Sequence, residues 1–262
     1  MRKFDLKYYR KNKYQPSNIK IKLHEDVNYF IDKVRQESYM RQIIIVDNKI
    51  VVFGVEGSII LPNGKFWYIS AEVQNGKWGK HHIITSPGIE KLILKRESFL
   101  RLDSGCLSGM IFGDVTCDCL NQLRRAQNII LKRGGIIIHI PGHDGRGLQE
   151  YKMANQRIMY ETKLDTITVA KKFYEDHRLI DIRTYDESIL ILKALGFKKG
   201  YRFNLGTKNP NKINTLIKEG FKVDNREIDV KKKNGMVAKN LKAKHLFWEG
   251  ENYERNQERQ MV

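Results

Sequence analysis

Apolar residues at three- and four-residue spacing, Val27, Phe30, Ile31 and Val34, predict a helix over residues 24–41. Short β-rich runs follow. Residues 43–46 and 50–55 read as strands joined at Asp47-Asn48. Residues 59–61, 66–73 and 81–85 continue the strand character, with turns at Pro62-Asn63-Gly64 and Asn75-Gly76. A further strand is predicted from residues 91–94 onward to Arg101.

The period changes after Cys119. Leu120, Leu123, Ala126 and Ile130 recur at helical spacing until Gly134-Gly135. Residues 136–140, isoleucines broken only by His139, read as a strand buried on both faces. The loop Gly142 to Gly147 leads into a helix over 148–162, and residues 166–170 read as a short strand. A helix over 185–195, a strand over 201–205 and a helix from the Gly206–Lys212 loop to Gly220 follow. The expected fold is therefore α/β (α+β overall), a β-rich N-terminal part followed by a mostly parallel sheet flanked by helices. The active site is expected in the loops past the strand ends. Residues 1–55 read as an N-terminal extension, 56–230 as the catalytic domain and 231–262 as a polar C-terminal tail.

Composition adds one strong feature. Lys and Arg total 48 against 30 Asp and Glu, a net charge of +18, which favours anionic partners such as nucleotides or nucleic acid. A Lys-rich compositional bias with solvated lysines is the other reading of that charge. In the first 20 residues Lys7, Tyr8, Tyr9, Arg10, Lys11, Lys13 and Tyr14 interleave cations with rings, as in a nucleic-acid contact or a plain surface tail. No apolar run reaches membrane-spanning length, and the first residues lack the apolar centre of a signal peptide, so a reducing cytoplasm is expected.

The three cysteines, Cys106, Cys117 and Cys119, are the whole complement of the chain and fall within one short stretch. An odd number cannot pair fully within one chain. Cys117 and Cys119, separated by Asp118, are spaced to chelate one ion, and Cys106 can close the site through a loop. Three thiolates suit zinc with one open position for water. The alternatives are free, half-buried thiols, two ligands with a bystander, or a structural site completed by His139 or His143.

Around these cysteines the chain resembles the GTP cyclohydrolase II family. The family pattern is met by Cys106, Cys117-Asp118-Cys119 and Gln122-Leu123, by Asp144-Gly145-Arg146-Gly147, by Asp181-Ile182-Arg183-Thr184-Tyr185, and by Thr207-Lys208-Asn209-Pro210-Asn211-Lys212. A weaker echo of the family's ending lies at Lys242 to Leu246, so the likeness covers about residues 59–247. The resemblance implies a homodimer that uses zinc to open the imidazole ring of GTP, releasing formate and pyrophosphate at the start of riboflavin synthesis. It assigns the three cysteines to zinc, Gln122 to the guanine edge, and Arg101 and Arg146 to phosphates. Asp144, Gly145, Thr166, Thr207 and Lys212 fall on further nucleotide contacts. Asp181 falls on the general base and Arg183 on the residue that attacks the α-phosphate, with Mg2+ accompanying the triphosphate.

The departures from the family pattern define the competing readings. Asp103 stands where the family has His, Gly105 where it has an acid, and His143-Asp144 where it has Gln-Glu. Ungapped counting from Arg146 puts Arg157 where the family has a tyrosine near the zinc, and the segment between Thr166 and Asp181 is longer than usual. Arg157 and Gly105 favour a paralogue that stops at the formylated, ring-opened intermediate or takes another purine, whereas the retained Asp181 and Arg183 favour nucleoside triphosphate chemistry. A non-catalytic nucleotide- or nucleic-acid-binding protein on the same scaffold is the reading from another class.

Overall fold

The sheet is built from hairpins before the chain turns to crossovers. β1 (Ile43–Val46) and β2 (Lys49–Phe53) pair antiparallel. The two residues between them, Asp47 and Asn48, both take positive φ, the twist that a two-residue hairpin turn requires and short polar side chains tolerate. β3 (Gly57–Leu61) and β4 (Gly64–Val73) also pair antiparallel, joined through Pro62-Asn63, and β5 (His81–Ser86) adds to the far side of β4. The computed structural model describes residues 43–260 apart from 55, 149, 226–227 and 229–234. The helix expected over 24–41 and the basic, aromatic stretch before it lie outside the described residues.

The rest of the chain runs α1 (Ile89–Leu92), β6 (Glu97–Ser104), α2 (Leu107–Met110), α3 (Cys119–Arg133), β7 (Gly135–Ile140), a turn segment (Pro141–Gly147), α4 (Glu150–Thr162), α5 (Thr166–Phe173), α6 (Asp186–Ala194), β8 (Arg202–Leu205), α7 (Pro210–Lys218), β9 (Lys222–Asn225) and α8 (Gly235–Gln260). The strands form one mixed sheet in the order β1-β2-β4-β5-β7-β6-β8-β9, with β3 on β4. Its front half is antiparallel as far as the β5–β7 pair, and β7, β6, β8 and β9 are parallel. The β-rich front and the parallel back that the residue pattern predicts are thus halves of a single sheet.

Helices cover both faces, which explains the unbroken apolar run in β7. Ile136, Ile138 and Ile140 join Leu100 and Leu102 of β6 and Ile189 and Leu192 of α6 in the larger core. Ile137 points the other way, onto Phe99 and onto Ala126 and Ile130 of α3. On that second face Arg101 and Asp103, two and four residues past Phe99, carry the polar end of β6 toward the loops. Among the described residues no helix is long and apolar enough to cross a membrane.

Three stretches differ from their predicted state. Residues 91–94 are not strand: Ile89 and Leu92 are buried one helical turn apart, while Leu94 is left 85% exposed. Residues 166–170 are the start of α5, because Asp165 caps it by accepting hydrogen bonds from the Ile167 and Thr168 amides. The cap outweighs the β preference of Thr166-Ile167-Thr168-Val169, and Ile167 and Ala170 then pack together on Ile180. Residues 235–260, read as a polar tail, form α8, whose Ala243 and Phe247 pack on the α5 cluster. β9, which pairs parallel with β8, is not foreseen by the pattern.

Asp165→Ala removes the α5 cap and should lower the unfolding free energy by about 1 kcal/mol in urea titrations. An extended segment at 166–170 would leave stability unchanged.

Candidate functional site

The parallel strands deliver the site, since β6, β7 and β8 end side by side. β6 leads through Gly105 to Cys106, β7 into the Pro141–Gly147 turn, and β8 into Gly206-Thr207. The junction is tight. A Cβ at Gly105 would lie 2.6 Å from the Pro141 carbonyl oxygen, so the residue that replaces the expected acid is one that backbone packing demands. In the Asp144–Gly147 turn Gly145, Arg146 and Gly147 take positive φ in succession. Glycine supplies two of these at no steric cost, and the turn aims the Arg146 side chain inward.

The three cysteines converge. Their sulfur atoms all lie within 4.8 Å of one another, Cys106 Sγ and Cys117 Sγ being 3.7 Å apart. Among the described residues no histidine joins this group, so His139 and His143 are not fourth ligands. The cradle fits an ion. Gly109 of α2 faces the sulfurs so closely that a Cβ there would lie 2.3 Å from Cys117 Sγ and 3.1 Å from Cys106 Sγ. Hydrogen bonds from Cys117 and Cys119 favour the thiolate at Cys106, and Lys152 Nζ, 3.5 Å away, adds to this. Cys117 and Cys119 are pushed up as the donors. A metal ion would remove this competition for one negative charge by taking all three sulfurs as thiolates.

Two cavities flank the cysteines. The first is lined by the three thiols, Asp144, Gly145, Arg146, Thr166 and Arg183. The second holds Arg101, Gln122, Thr207 and Lys212. Cys119, Arg146 and Arg183 border both. Every expected site residue except Asp181 therefore faces one space or the other. Asp181 lines neither cavity and its side chain is 3% exposed. It grips Arg183 from behind with both oxygens, Oδ1 accepting from Nε at 2.7 Å and Oδ2 from Nη2. Burial works against the Asp181 carboxylate, but the Arg183 charge outweighs it and holds the pKa below the usual range. Burial likewise works against the Arg183 cation, and Asp181 more than restores it.

The other cations are held by fixed partners. Arg101 donates to Asp103 (3.1 Å), to the Gly206 carbonyl (2.9 Å) and to Gln122 Oε1 (2.7 Å), while Gln122 donates to Asp118 (2.8 Å). Asp103, the substitute for the family's histidine, is fully buried and also bonded to His139 Nδ1 at 2.8 Å. Arg146 donates to the Ile180 carbonyl and Thr166 Oγ1, both at 2.8 Å, and burial lowers its pKa to about 10. Lys212 reaches the Leu102 carbonyl at 2.6 Å, and burial with Arg101 and Arg183 nearby depresses its pKa. Asn209, not Thr207, caps α7; Thr207 Oγ1 accepts from the Asn209 amide instead.

α4 brings a correction. Its inward stripe is Lys152, Asn155, Gln156 and Met159, all lining the first cavity. Gln156 donates toward Thr116 and Ser108 beside the cysteines. Arg157 faces solvent, its side chain 79% exposed and paired with Glu161 one turn on. Arg157, which the ungapped count from Arg146 sets near the zinc, therefore lies away from the cysteines, and its neighbour Gln156 is the residue that α4 turns to the cavity. Lys152, which bonds Asp144 at 2.6 Å, and Tyr174, whose buried hydroxyl has no hydrogen-bond partner among the described residues, also line the cavity and belong to no motif. Spacing three and four residues apart along 152–159 is the signal that could have found the α4 group.

Gly109→Ala should cut bound metal well below one ion per chain, as measured by elemental analysis after dialysis, while leaving the fold cooperative. Retention of stoichiometric metal would show that the cradle does not depend on that glycine. The buried imidazoles set a second expectation. Burial lowers His81 to about 4 and His143 to about 2. Both folded pKa values lie below the unfolded value near 6.5, so the unfolded chain binds protons that the native state refuses. Stability should fall as pH drops below about 6.5, by about 1.4 kcal/mol per pH unit for each histidine. Denaturation curves from pH 7.5 to 4.5 measure this, and His143→Gln should flatten the slope by one proton.

Comparison with known proteins agrees with this geometry. A family model described as GTP cyclohydrolase II matches residues 67–228. The GTP cyclohydrolase-2 of Campylobacter fetus is 32% identical over 156 residues, 58% of this chain and 72% of that protein. The GTP cyclohydrolase-2 of Archaeoglobus fulgidus is 33% identical over 132 residues, 50% of this chain and 33% of that protein. The riboflavin biosynthesis protein RibBA of Aquifex aeolicus is 36% identical over 123 residues, 47% of this chain and 28% of that protein. The chain thus spans a third or less of the length of the last two relatives. With the family model covering more than half of its residues, and the fold mixed α/β as expected, the chain belongs to the GTP cyclohydrolase II family.

Proposed function

We propose that this chain is a zinc-dependent hydrolase that opens the imidazole ring of GTP and releases formate and pyrophosphate. The observation that carries this reading is the meeting of three thiols in one cavity, with Cys119 and a fixed Arg183 bordering a second that is lined by cations. Cys106, Cys117 and Cys119 would hold zinc, whose contribution is Lewis acidity and a water of lowered pKa. The purine would lie in the thiol cavity. Its phosphates, with Mg2+, would meet Arg146, Arg183, Arg101 and Lys212, the forked guanidinium groups suiting phosphoryl oxygens. Thr166 and Thr207 stand at the edges of this space, and Gln122 would turn from Arg101 toward the guanine. Asp144 fixes the turn by accepting from the Leu107 and Gly145 amides.

The family roles would have Asp181 accept a proton and Arg183 attack the α-phosphate. The charges of this pair stabilise one another, so Arg183 would lose its proton only to the carboxylate that grips it. A cation held in place by Asp181 and aimed at the phosphate is the simpler role for the same geometry: water would form the new bond to the α-phosphorus while the guanidinium stabilises the charge on the departing pyrophosphate. A homodimer, as the family resemblance implies, is part of this reading.

A second reading has one observation in its favour. Beside the cysteines α4 places Gln156, on Thr116 and Ser108, and Lys152, 3.5 Å from Cys106 Sγ, and neither is the phenol of the family pattern. Ring opening would then stop with the formyl group still attached.

Mass spectrometry of the products formed from GTP by the zinc- and magnesium-loaded protein separates these readings. Formate, pyrophosphate and a ribosylaminopyrimidine monophosphate are expected. A retained formyl group would establish the truncated reaction, and unchanged GTP would contradict the proposal. Arg157→Ala should leave products and rate unchanged, since an exposed ion pair contributes little, whereas Gln156→Ala should alter the rate.

A further inference from the structure

The family model ends at residue 228, yet the site does not. α8 lies beyond the match and walls both cavities. Val237, Asn240, Leu241, Lys244 and Trp248 recur at three- and four-residue spacing and form the inward stripe of the helix. The stripe is anchored by Asn240, which is buried. Its side-chain oxygen accepts from the Thr166 amide at 2.9 Å, and its amide donates to the Thr116 carbonyl at 3.3 Å, next to Cys117. Ala243 and Phe247, on the adjoining face, pack on the α5 cluster. α8 is therefore tied to both the cysteine loop and α5.

Lys244 interrupts the otherwise uncharged stripe at its centre. It borders both cavities together with Arg146 and Arg183, and it is half-buried. Around it each acid is already engaged: Asp181 by Arg183, Asp103 by Arg101 and His139, Asp144 by Lys152, and Asp118 by Gln122. Lys244 has no hydrogen bond or ion pair among the described residues, and neither has Lys242, which faces the second cavity. A cavity bordered by the Lys244 ammonium group and two guanidinium groups, its carboxylates already engaged, favours an anionic occupant.

We propose that Lys244, supported by Lys242, contacts a phosphoryl group of the substrate, so that α8 supplies a nucleotide contact from outside the matched family region. This rests on reading the site as a nucleoside triphosphate site. Lys244 is then a binding residue for the phosphate chain and takes no part in ring opening.

The test uses the full-length, zinc-loaded protein with GTP as substrate and inorganic pyrophosphate as inhibitor. A charge-assisted hydrogen bond lost from such a site corresponds to about tenfold in affinity. Lys244→Gln should raise KM for GTP and the pyrophosphate inhibition constant by about that factor, with kcat and zinc content unchanged. Lys244→Arg, which keeps the charge, should restore both constants to near the wild-type values. Wild-type constants in Lys244→Gln would overturn the proposal, and so would an Arg variant as defective as the Gln variant, which would mark a packing role. Should the wild-type protein neither turn over GTP nor bind pyrophosphate, the nucleotide reading itself fails and this inference falls with it.

Discussion

The parallel pairing of β6 with β7 on one side and β8 on the other is the constraint on which the site depends. Parallel strands end at the same edge, so three segments far apart in the chain emerge together: the cysteine loop after β6, the Asp144–Gly147 turn after β7, and the Thr207–Lys212 loop after β8. Hydrogen bonds across the edge fix their relative positions. The Gly105 amide donates to the Ile140 carbonyl at 2.8 Å and the Gly206 amide to the Leu100 carbonyl at 2.9 Å. A one-residue slip in either pairing would turn Arg101 and Asp103 to the opposite face of the sheet, away from α3 and Gln122. The large cores on both faces make such a slip costly, because Leu100 and Leu102 would exchange places with those charges.

Charge organises what the sheet gathers. Most cations at the site are locked in orientation by their neighbours. Arg183 is clasped by Asp181, Arg101 by Asp103 and Gln122, and Arg146 spans Thr166 and the Ile180 carbonyl. Such groups keep their orientation when a ligand arrives, so little reorganisation opposes binding. The Asp103–His139 bond belongs to this framework. The buried Asp103 carboxylate accepts from His139 on the neighbouring strand and, with Arg101, ties β6 to β7 at this end of the sheet. The +18 charge of the chain is thus not spread evenly in meaning: a few fixed cations define the site.

The cysteine spacing and the three strand-end loops are legible because each depends on short-range sequence: two thiols one residue apart, glycines at positive φ, an Asn-Pro helix start. What cannot be read depends on the rotation or cap of a helix. Thr166-Ile167-Thr168-Val169 has strand composition, and only Asp165, one residue earlier, reverses it. Counting along α4 puts Arg157 at the thiols, whereas the helix presents Gln156, because counting residues does not fix the angle at which a helix meets a cavity. The sequence places Asp181 beside Arg183, but its burial behind the guanidinium follows from tertiary packing alone. Lys244 is one lysine among many in composition, and only the seating of α8 against the cysteine loop distinguishes it.

If the three thiols hold one zinc ion with a position left open toward the cavity, zinc K-edge X-ray absorption on the stoichiometrically loaded protein shows it directly. The predicted spectrum shows three sulfur neighbours at about 2.3 Å and one light atom at about 2.0–2.1 Å. Four protein ligands, or failure to retain one zinc per chain, would contradict the account.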